Sequence, residues 1–260
     1  MSTNVEEWIP LFLTMHRPTT DPWQLAQSHR YVEALAAYDA ELASENEQSA
    51  PRVANRATVL LCLCRWQEAF EGFVRANEIK SRKTKGLQPY LTKMATVLWL
   101  MGRRHDAVET LTRAVDSVAS GEISYTDSAG GVSQGLLLWY AGITTSDSAG
   151  RKHALAYLSR LAEERRIQHW PGPLALYALG RMRLEQTMEL MAGNSNDVGK
   201  AEVLKRRRLC QTLFYAAVTR RHQGDHAGCA HGMRQCCALE NPLLEEEWYL
   251  ARAEAGVSAT

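Results

Sequence analysis

Four stretches of the sequence match one another: HRYVEALAAYDAEL (29–42), CRWQEAFEGFVRAN (64–77), GRRHDAVETLTRAV (102–115) and GRKHALAYLSRLAE (150–163). The first three carry an acidic residue, then alanine, then a large apolar residue four positions later. Ala34, Ala69 and Ala107 are 35 and 38 positions apart in the chain. Because apolar residues also recur every three or four positions and β-branched alternation is scarce, the pattern predicts an all-α chain of stacked helical hairpins.

Each position of the repeat has a packing role. A small residue is needed where the two helices of a hairpin cross closely, and a large residue one turn later fills the space between hairpins. The large position is taken by Tyr38, Phe73, Leu111 and Leu158. Ala76 and Ala114 occupy a second small position, and Gly102 marks the turn of the third hairpin.

These stretches resemble the tetratricopeptide repeat (TPR) family, with Ala57 and Ala95 where the usual first-helix glycine stands. The carboxyl half resembles the bacterial NlpI type in HWPGPLALYALGRMRLEQTMELMAG (169–193) and in RRRLCQTLFYAAVTRRHQGDHAGCAHGMRQCCALENPLLEEEWYLARAE (206–254). In the latter, Gly224-Asp225 forms the turn, Cys229 takes the crossing position and Met233 takes the large one.

The resemblance implies a right-handed solenoid of about five or six hairpins in a single domain, residues 1–260. A capping segment at about 1–20, near Trp8, precedes repeats at about 21–240, and a capping helix at about 241–255, near Trp248, follows them. The sequence lacks a lipoprotein signal, so an envelope role does not carry over from such relatives.

The amino-acid composition limits the classes of partner that this protein is expected to bind. Thirty basic and 29 acidic residues supply no overall field that would attract nucleic acid or an anionic membrane. The start of the chain lacks the features of a secretion signal, and no run of 18 apolar residues occurs. We therefore expect a cytoplasmic protein with reduced cysteines and without a nucleic-acid or membrane partner.

The stretch GEISYTDSAGGVSQGLLLWY (121–140) has the glycine density of a phosphate-binding loop. However, Leu136 and Leu137 stand where a P-loop needs lysine and a hydroxyl residue, so we expect no nucleotide cofactor. One interpretation is a loop between helices, with Ser133 as the N-cap of the next helix. The other is a functional loop beside a groove, with Tyr125 and Asp127 as contact residues.

No catalytic constellation is evident, so we expect no enzymatic activity. His222, His226, Cys229 and His231 could bind a metal ion, and a metal-dependent enzyme built on them is the distant alternative. In the repeat register, though, a turn separates the first two and Cys229 points into the helix crossing. The basic run Lys205–Arg208 indicates a solvated face or a contact for an acidic partner.

The first helices of stacked hairpins line a concave groove, which is the expected binding surface. The candidate partner-binding residues of the groove and loop are Thr58, Leu61, Thr92, Thr96, Trp99, Tyr125, Asp127, Trp139 and Ile143. Trp99 and Trp139 are candidate anchors, or else they pack between hairpins. Ala54 and Thr58 replace the lysine and asparagine with which some TPR proteins clamp a terminal carboxylate.

The expected function is a protein-protein interaction module. Its sharpest form is an immunity-like protein that neutralises one partner, such as a toxin, and the alternative is a general adaptor, scaffold or chaperone-like protein.

Overall fold

A computed structural model describes residues 20–44, 49–84, 88–123, 130–164, 167, 169–192, 198–239 and 245–256. Within these ranges the chain forms thirteen helices and no strand, so the all-α prediction is confirmed. The helices are α1 Pro22–Gln27, α2 Tyr31–Ser44, α3 Ala50–Cys62, α4 Trp66–Lys83, α5 Leu91–Leu100, α6 Arg104–Ala119, α7 Val132–Thr144, α8 Ser148–Glu163, α9 Gly172–Ala178, α10 Leu184–Ala192, α11 Val198–His222, α12 His226–Cys237 and α13 Glu246–Ala255.

Five hairpins are closed by three-residue turns whose middle residue has a positive φ. These residues are His29, Cys64, Gly102, Ser146 and Gly224. In the α3/α4 turn the amide of Arg65 donates to the carbonyl of Leu60 at 3.0 Å, and in the α5/α6 turn Arg103 donates to Leu98 at 2.9 Å. This six-to-one hydrogen bond is the Schellman ending of a helix. The predicted turns at Gly102 and Gly224 are confirmed.

The small residues of the repeat are buried. Ala34, Ala69 and Ala107 are each 0% exposed. A Cβ on Gly72 of α4 would lie 2.8 Å from the Cβ of Ala57 on α3, and a Cβ on Gly232 of α12 would meet Ala217 of α11 at the same distance. The α3/α4 and α11/α12 hairpins therefore close through the same kind of contact. In each of them a glycine of the second helix packs against an alanine of the first helix.

The large repeat residues are buried, as predicted: Tyr38, Phe73, Leu111, Leu158 and Met233. Each hairpin packs on the next, since α2 contacts α3, α4 contacts α5, and α6 contacts both α7 and α8. All six cysteines are free thiols, and three of them are buried: Cys210, Cys229 and Cys236. None of the described helices combines the length and the apolar character that crossing a membrane requires.

The last helix departs from the expected architecture. It does not simply cap one end of the stack, because α13 packs against α5 as well as against α11 and α12. The side chain of Tyr249 on α13 reaches Cys62 at the end of α3, with 3.0 Å between the phenol oxygen and Sγ. The expected capping segment around Trp8 lies outside the described residues.

Candidate functional site

The first helices of four hairpins, α3, α5, α7 and α11, are called here the first-helix face. The last helix, α13, packs against α5 and α11 of this face and against α12, and its side chains reach α3 and α7. Aromatic rings join three of these helices. Trp99 of α5 lies 5.0 Å from Tyr140 of α7, measured between ring centroids, and Tyr140 lies 4.9 Å from Phe214 of α11. Leu250 of α13 lies beside Trp99 and Tyr140. The aromatic centre predicted for the groove is present, but α13 covers it.

Most of the predicted groove residues are buried. The residues at most 4% exposed are Thr58, Leu61, Thr96, Trp99 and Trp139, whereas Thr92 and Ile143 are half-buried. The expectation that the two indoles are accessible anchors is wrong for this conformation, because Trp99 packs on Tyr140 and Trp139 on Tyr215. The alternative interpretation, that each Trp packs inside the chain, describes them better.

Three consecutive carboxylates fix the start of α13 on the first-helix face. Glu246 pairs with Lys93 of α5 at 3.0 Å, and Glu245 pairs with Arg207 of α11 at 2.8 Å. Glu247 accepts a hydrogen bond of 3.0 Å from the hydroxyl of Tyr215. Three carboxylates thus lie beside only two cations, an arrangement that favours protonation of one of the carboxylates.

The arrangement shifts the pKa values of these acids in opposite directions. Burial, only partly offset by Arg207, raises the pKa of Glu245 to about 8. Burial, together with the charge of Glu246, also raises the pKa of Glu247. For Glu246 burial acts in the same direction, but the Lys93 ammonium outweighs it and the pKa is lowered. Glu246 is therefore the ionised partner of Lys93, while burial favours the protonated forms of Glu245 and Glu247.

Two further side chains complete this polar contact, Gln211 of α11 and Trp170, which precedes α9. The side-chain amide of Gln211 donates to Glu245 at 3.2 Å and to Glu247 at 3.4 Å. Gln211 in turn accepts a hydrogen bond of 2.7 Å from the indole of Trp170. The buried acids are therefore solvated by protein groups in place of water.

The far end of α13 is held by a second charged contact. Glu254 accepts a hydrogen bond from Tyr140 of α7 at 2.9 Å and pairs with Arg221 of α11 at 2.7 Å. Arg221 also donates to the Thr144 hydroxyl at 2.9 Å. Both ends of α13 are thus fixed by ion pairs, and its middle by the apolar contact of Leu250.

A cavity of about 330 Å³ remains beside α13, between the ends of α3 and α5. We call it the α13 cavity. Its lining residues are Leu61, Cys62, Cys64, Trp66, Trp99, Leu100, Gly102, Arg104, Tyr249, Arg252 and Ala253. Only Leu61 and Trp99 of these were identified from the sequence. The cavity has the size of a small-ligand site and is the open part of the first-helix face.

The two ends of the glycine-rich loop are tied to the core. Gly131, with φ of 93°, is the N-cap of α7, so the prediction of Ser133 as the N-cap is wrong. The Tyr157 hydroxyl donates to the Gly131 carbonyl at 3.1 Å, and a Cβ on Gly135 would lie 2.7 Å from Leu158. Close packing therefore explains why glycine occupies positions 131 and 135. Tyr125 and Asp127 lie outside the described residues.

The proposed metal ligands in α11 and α12 do not converge. His222, His226 and His231 are exposed, whereas Cys229 is 1% exposed. Among the described residues, the group whose ligand atoms approach within 4.8 Å is instead the three glutamates at the start of α13. Two of those carboxylates already face cations, so we interpret the group as the anchor of the helix.

The basic run at 205–208 has an acidic partner within the same chain. Arg207 turns inward to Glu245, while Lys205 and Arg206 are exposed. The guanidinium of Arg208 lies over the Trp170 ring, 5.9 Å from its centroid. Through Arg207, part of the basic run therefore helps to hold α13 in place.

No known family model matches the chain, and no curated protein sequence matches it.

Proposed function

We propose that this chain is a non-enzymatic, TPR-like protein-interaction module that binds partners at the first-helix face. The observation that carries the proposal is that this face already holds a helix, α13, through an apolar centre and an ion pair at each end. An amphipathic helix laid on an apolar groove is a recurring mode of peptide recognition. The open remainder is the α13 cavity, with Trp66, Arg104 and Arg252 on its walls.

The sharpest form of the proposal is an immunity-like protein that neutralises one folded partner in the cytoplasm. A chain with near-neutral charge relies on shape and a few anchors for affinity, and central anchors in such interfaces contribute about 2 kcal/mol or more each. Because Trp99 and Trp139 are buried, Trp66 is the better candidate anchor: it is half-buried and lines the cavity. A general adaptor that binds short peptides weakly is the alternative.

The test is recovery of a partner from cells that produce the protein at its natural level, followed by reconstitution with purified components. We expect one folded protein in a one-to-one complex, measured by light scattering after gel filtration. Trp66→Ala is expected to weaken that complex about tenfold or more, which corresponds to about 1.4 kcal/mol. His226→Ala, a substitution at an exposed position away from the cavity, is the matched control and should leave it unchanged.

The outcomes separate the alternatives. Recovery of many short peptides with weak affinity would favour the adaptor. Loss of function in His226→Ala with the fold retained would favour the metal enzyme. A complex that survives Trp66→Ala unchanged would show that the partner contacts another surface.

A further inference from the structure

Two buried cysteines face each other across the α11/α12 hairpin. The Sγ atom of Cys210 on α11 lies 3.2 Å from that of Cys236 on α12, and both residues are 0% exposed. Both are free thiols. Because they are 26 positions apart in the chain and lie on the two sides of the Gly224 turn, a bond between them would fasten one helix of the hairpin to the other.

Little movement is needed to form that bond. A disulfide bond is about 2.05 Å long, so the two sulfur atoms must approach each other by about 1.2 Å. The helices are already in close contact, since a Cβ on Gly232 of α12 would lie 2.8 Å from the Cβ of Ala217 on α11. Rotation of the two cysteine side chains can supply the approach without a rearrangement of the helices.

Other thiols of the chain have neighbours of a different kind. The thiol of Cys62 contacts the hydroxyl of Tyr249 at 3.0 Å. The thiol of Cys229 on α12 lies beside the guanidinium of Arg221. The facing thiols of the α11/α12 hairpin are therefore the pair that oxidation is expected to join.

The facing thiols lie next to groups that hold the start of α13. On α11, Gln211 follows Cys210 in the chain and donates to Glu245 at 3.2 Å. On α12, the carbonyl of Cys237 accepts a hydrogen bond of 3.2 Å from the indole of Trp248. A covalent bond between α11 and α12 at this point would fix two of the helices against which α13 packs.

The environment of the pair slows its oxidation. The hydrogen bond with Cys236, together with burial, raises the pKa of the Cys210 thiol well above its usual range. Because the thiolate is the form that attacks a disulfide, the pair reacts through brief local opening of the hairpin end. The bond is therefore expected to form slowly, and to be retained once the hairpin has closed over it.

We propose that Cys210 and Cys236 are a modification site, at which a small-molecule disulfide such as oxidised glutathione joins the two thiols and fixes α11 to α12 beside the start of α13. One cysteine thiolate attacks a sulfur atom of the small disulfide, and one small thiol leaves as a mixed disulfide forms. The other cysteine then attacks the protein sulfur of the mixed disulfide, and the second small thiol leaves. The two cysteines lose two electrons and two protons, which the small disulfide takes up as it becomes two thiols.

The test equilibrates the full-length protein with oxidised and reduced glutathione and then stops exchange with acid. Peptide mapping by mass spectrometry is expected to find Cys210 linked to Cys236, with the mass of two hydrogen atoms lost. The oxidised chain should melt about 5 °C or more above the reduced chain, and dithiothreitol should reverse the shift. Hydrogen exchange of the amides of 246–255 should be slower in the oxidised chain.

Substitutions check the pairing. Cys210→Ala and Cys236→Ala should each abolish both the linkage and the melting shift. Cys229→Ala is the matched control, because it removes another buried thiol of α12 and should leave both results unchanged. Peptide mapping of the unsubstituted chain decides the pairing even if a variant fails to fold.

Several outcomes would overturn the inference. No linkage after equilibration, a linkage of Cys236 to Cys237, or glutathione retained on either facing cysteine would each contradict the pairing. A bond between Cys210 and Cys236 that leaves both the melting temperature and the exchange of 246–255 unchanged would contradict its effect on the structure. None of these outcomes bears on whether the first-helix face binds a partner.

Discussion

The α11/α12 hairpin and the docked helix α13 are built in different ways, although they touch. The hairpin joins residues close in sequence through a glycine turn, and it closes where Gly232 meets Ala217. Helix α13 also packs on its sequence neighbour α12, but several of its contacts join residues far apart in sequence, such as Tyr249 and Cys62, and it relies on buried carboxylates at one end. Small apolar crossings recur along the chain, whereas the docking of α13 occurs once and depends on charge.

The two kinds of contact predict that α13 and the hairpins open at different free-energy costs. Proteins open locally in cooperative units whose free-energy costs differ. Because α13 is held on the stack by charged contacts at Glu246 and Glu254, we expect it to be released before the hairpins unfold. Its release would uncover Trp99 and the rest of the first-helix face.

The largest effect is expected in the hairpins. Phe73 of α4 is 0% exposed, so Phe73→Ala should lower the free energy of unfolding by about 3–5 kcal/mol. Urea unfolding measures the change. The control is Val32→Ala, since Val32 is 72% exposed and its truncation should have little effect. A loss at Phe73 below about 1 kcal/mol would contradict the packing assigned to the repeat.

The docking of α13 should depend on pH in a way that the hairpins do not. The pKa of Glu245 is raised from its usual 4.5 to about 8, so the folded state holds this proton more tightly than the unfolded state. Its contribution to stability is therefore fully present below about pH 4.5 and is lost as the pH rises through about 8. We expect the melting temperature to fall as the pH rises over that interval.

Thermal melting across this pH range tests the claim, with Glu245→Gln as the comparison. The substitution removes the titrating group and should flatten the profile, while Lys93 remains charged. A profile that keeps its slope in Glu245→Gln would assign the pH dependence to another group.

Removing the Lys93 cation, which pairs with the start of α13, should destabilise α13 without unfolding the hairpins. Lys93→Met leaves Glu246 without its partner in a site where the two side chains are only 29% and 19% exposed. We expect a loss of about 1–2 kcal/mol, smaller than for a fully buried pair. Hydrogen exchange should locate the loss in α13. The control Arg30→Met breaks an exposed pair with Glu33 and should cause no resolvable change.

The smallest effect concerns the helix caps. Asp225 caps α12 by accepting a hydrogen bond of 2.7 Å from the amide of Gly228, so Asp225→Ala should lower the free energy of unfolding by about 0.5–1 kcal/mol. The N-cap of α13 is Glu245, whose side chain makes no such bond. If Glu245→Gln weakened the capping of α13 as much as Asp225→Ala weakens that of α12, the two helices would begin in the same way.

Much of the fold could be predicted because the repeat is local. The positions of Ala69 and Phe73 in the α3/α4 hairpin predicted a small and a large buried residue, and Gly102 marked a turn, since only glycine adopts a positive φ without cost. Cys64 and Ser146 adopt the same conformation without being glycine. Their turns carried no such signal in the sequence.

The candidate site could be predicted only in part. Repeat spacing placed Trp99 and Trp139 on first helices, which is where the structure has them. What covers them depends on contacts between residues more than a hundred positions apart, such as Tyr140 with Glu254. Periodicity predicted a capping helix near Trp248, but it does not reveal that Glu246 pairs with Lys93 and Glu245 with Arg207.

The central claim is that α13 occupies the first-helix face in the native protein. Hydrogen exchange of the backbone amides of 246–255, measured by mass spectrometry on the full-length chain, tests it most directly. The account predicts slow exchange in the native protein and selective acceleration in Lys93→Met, while α11 between Cys210 and Val218 remains protected in both. Exchange of 246–255 in the unsubstituted chain as fast as in an isolated peptide of that sequence would contradict it.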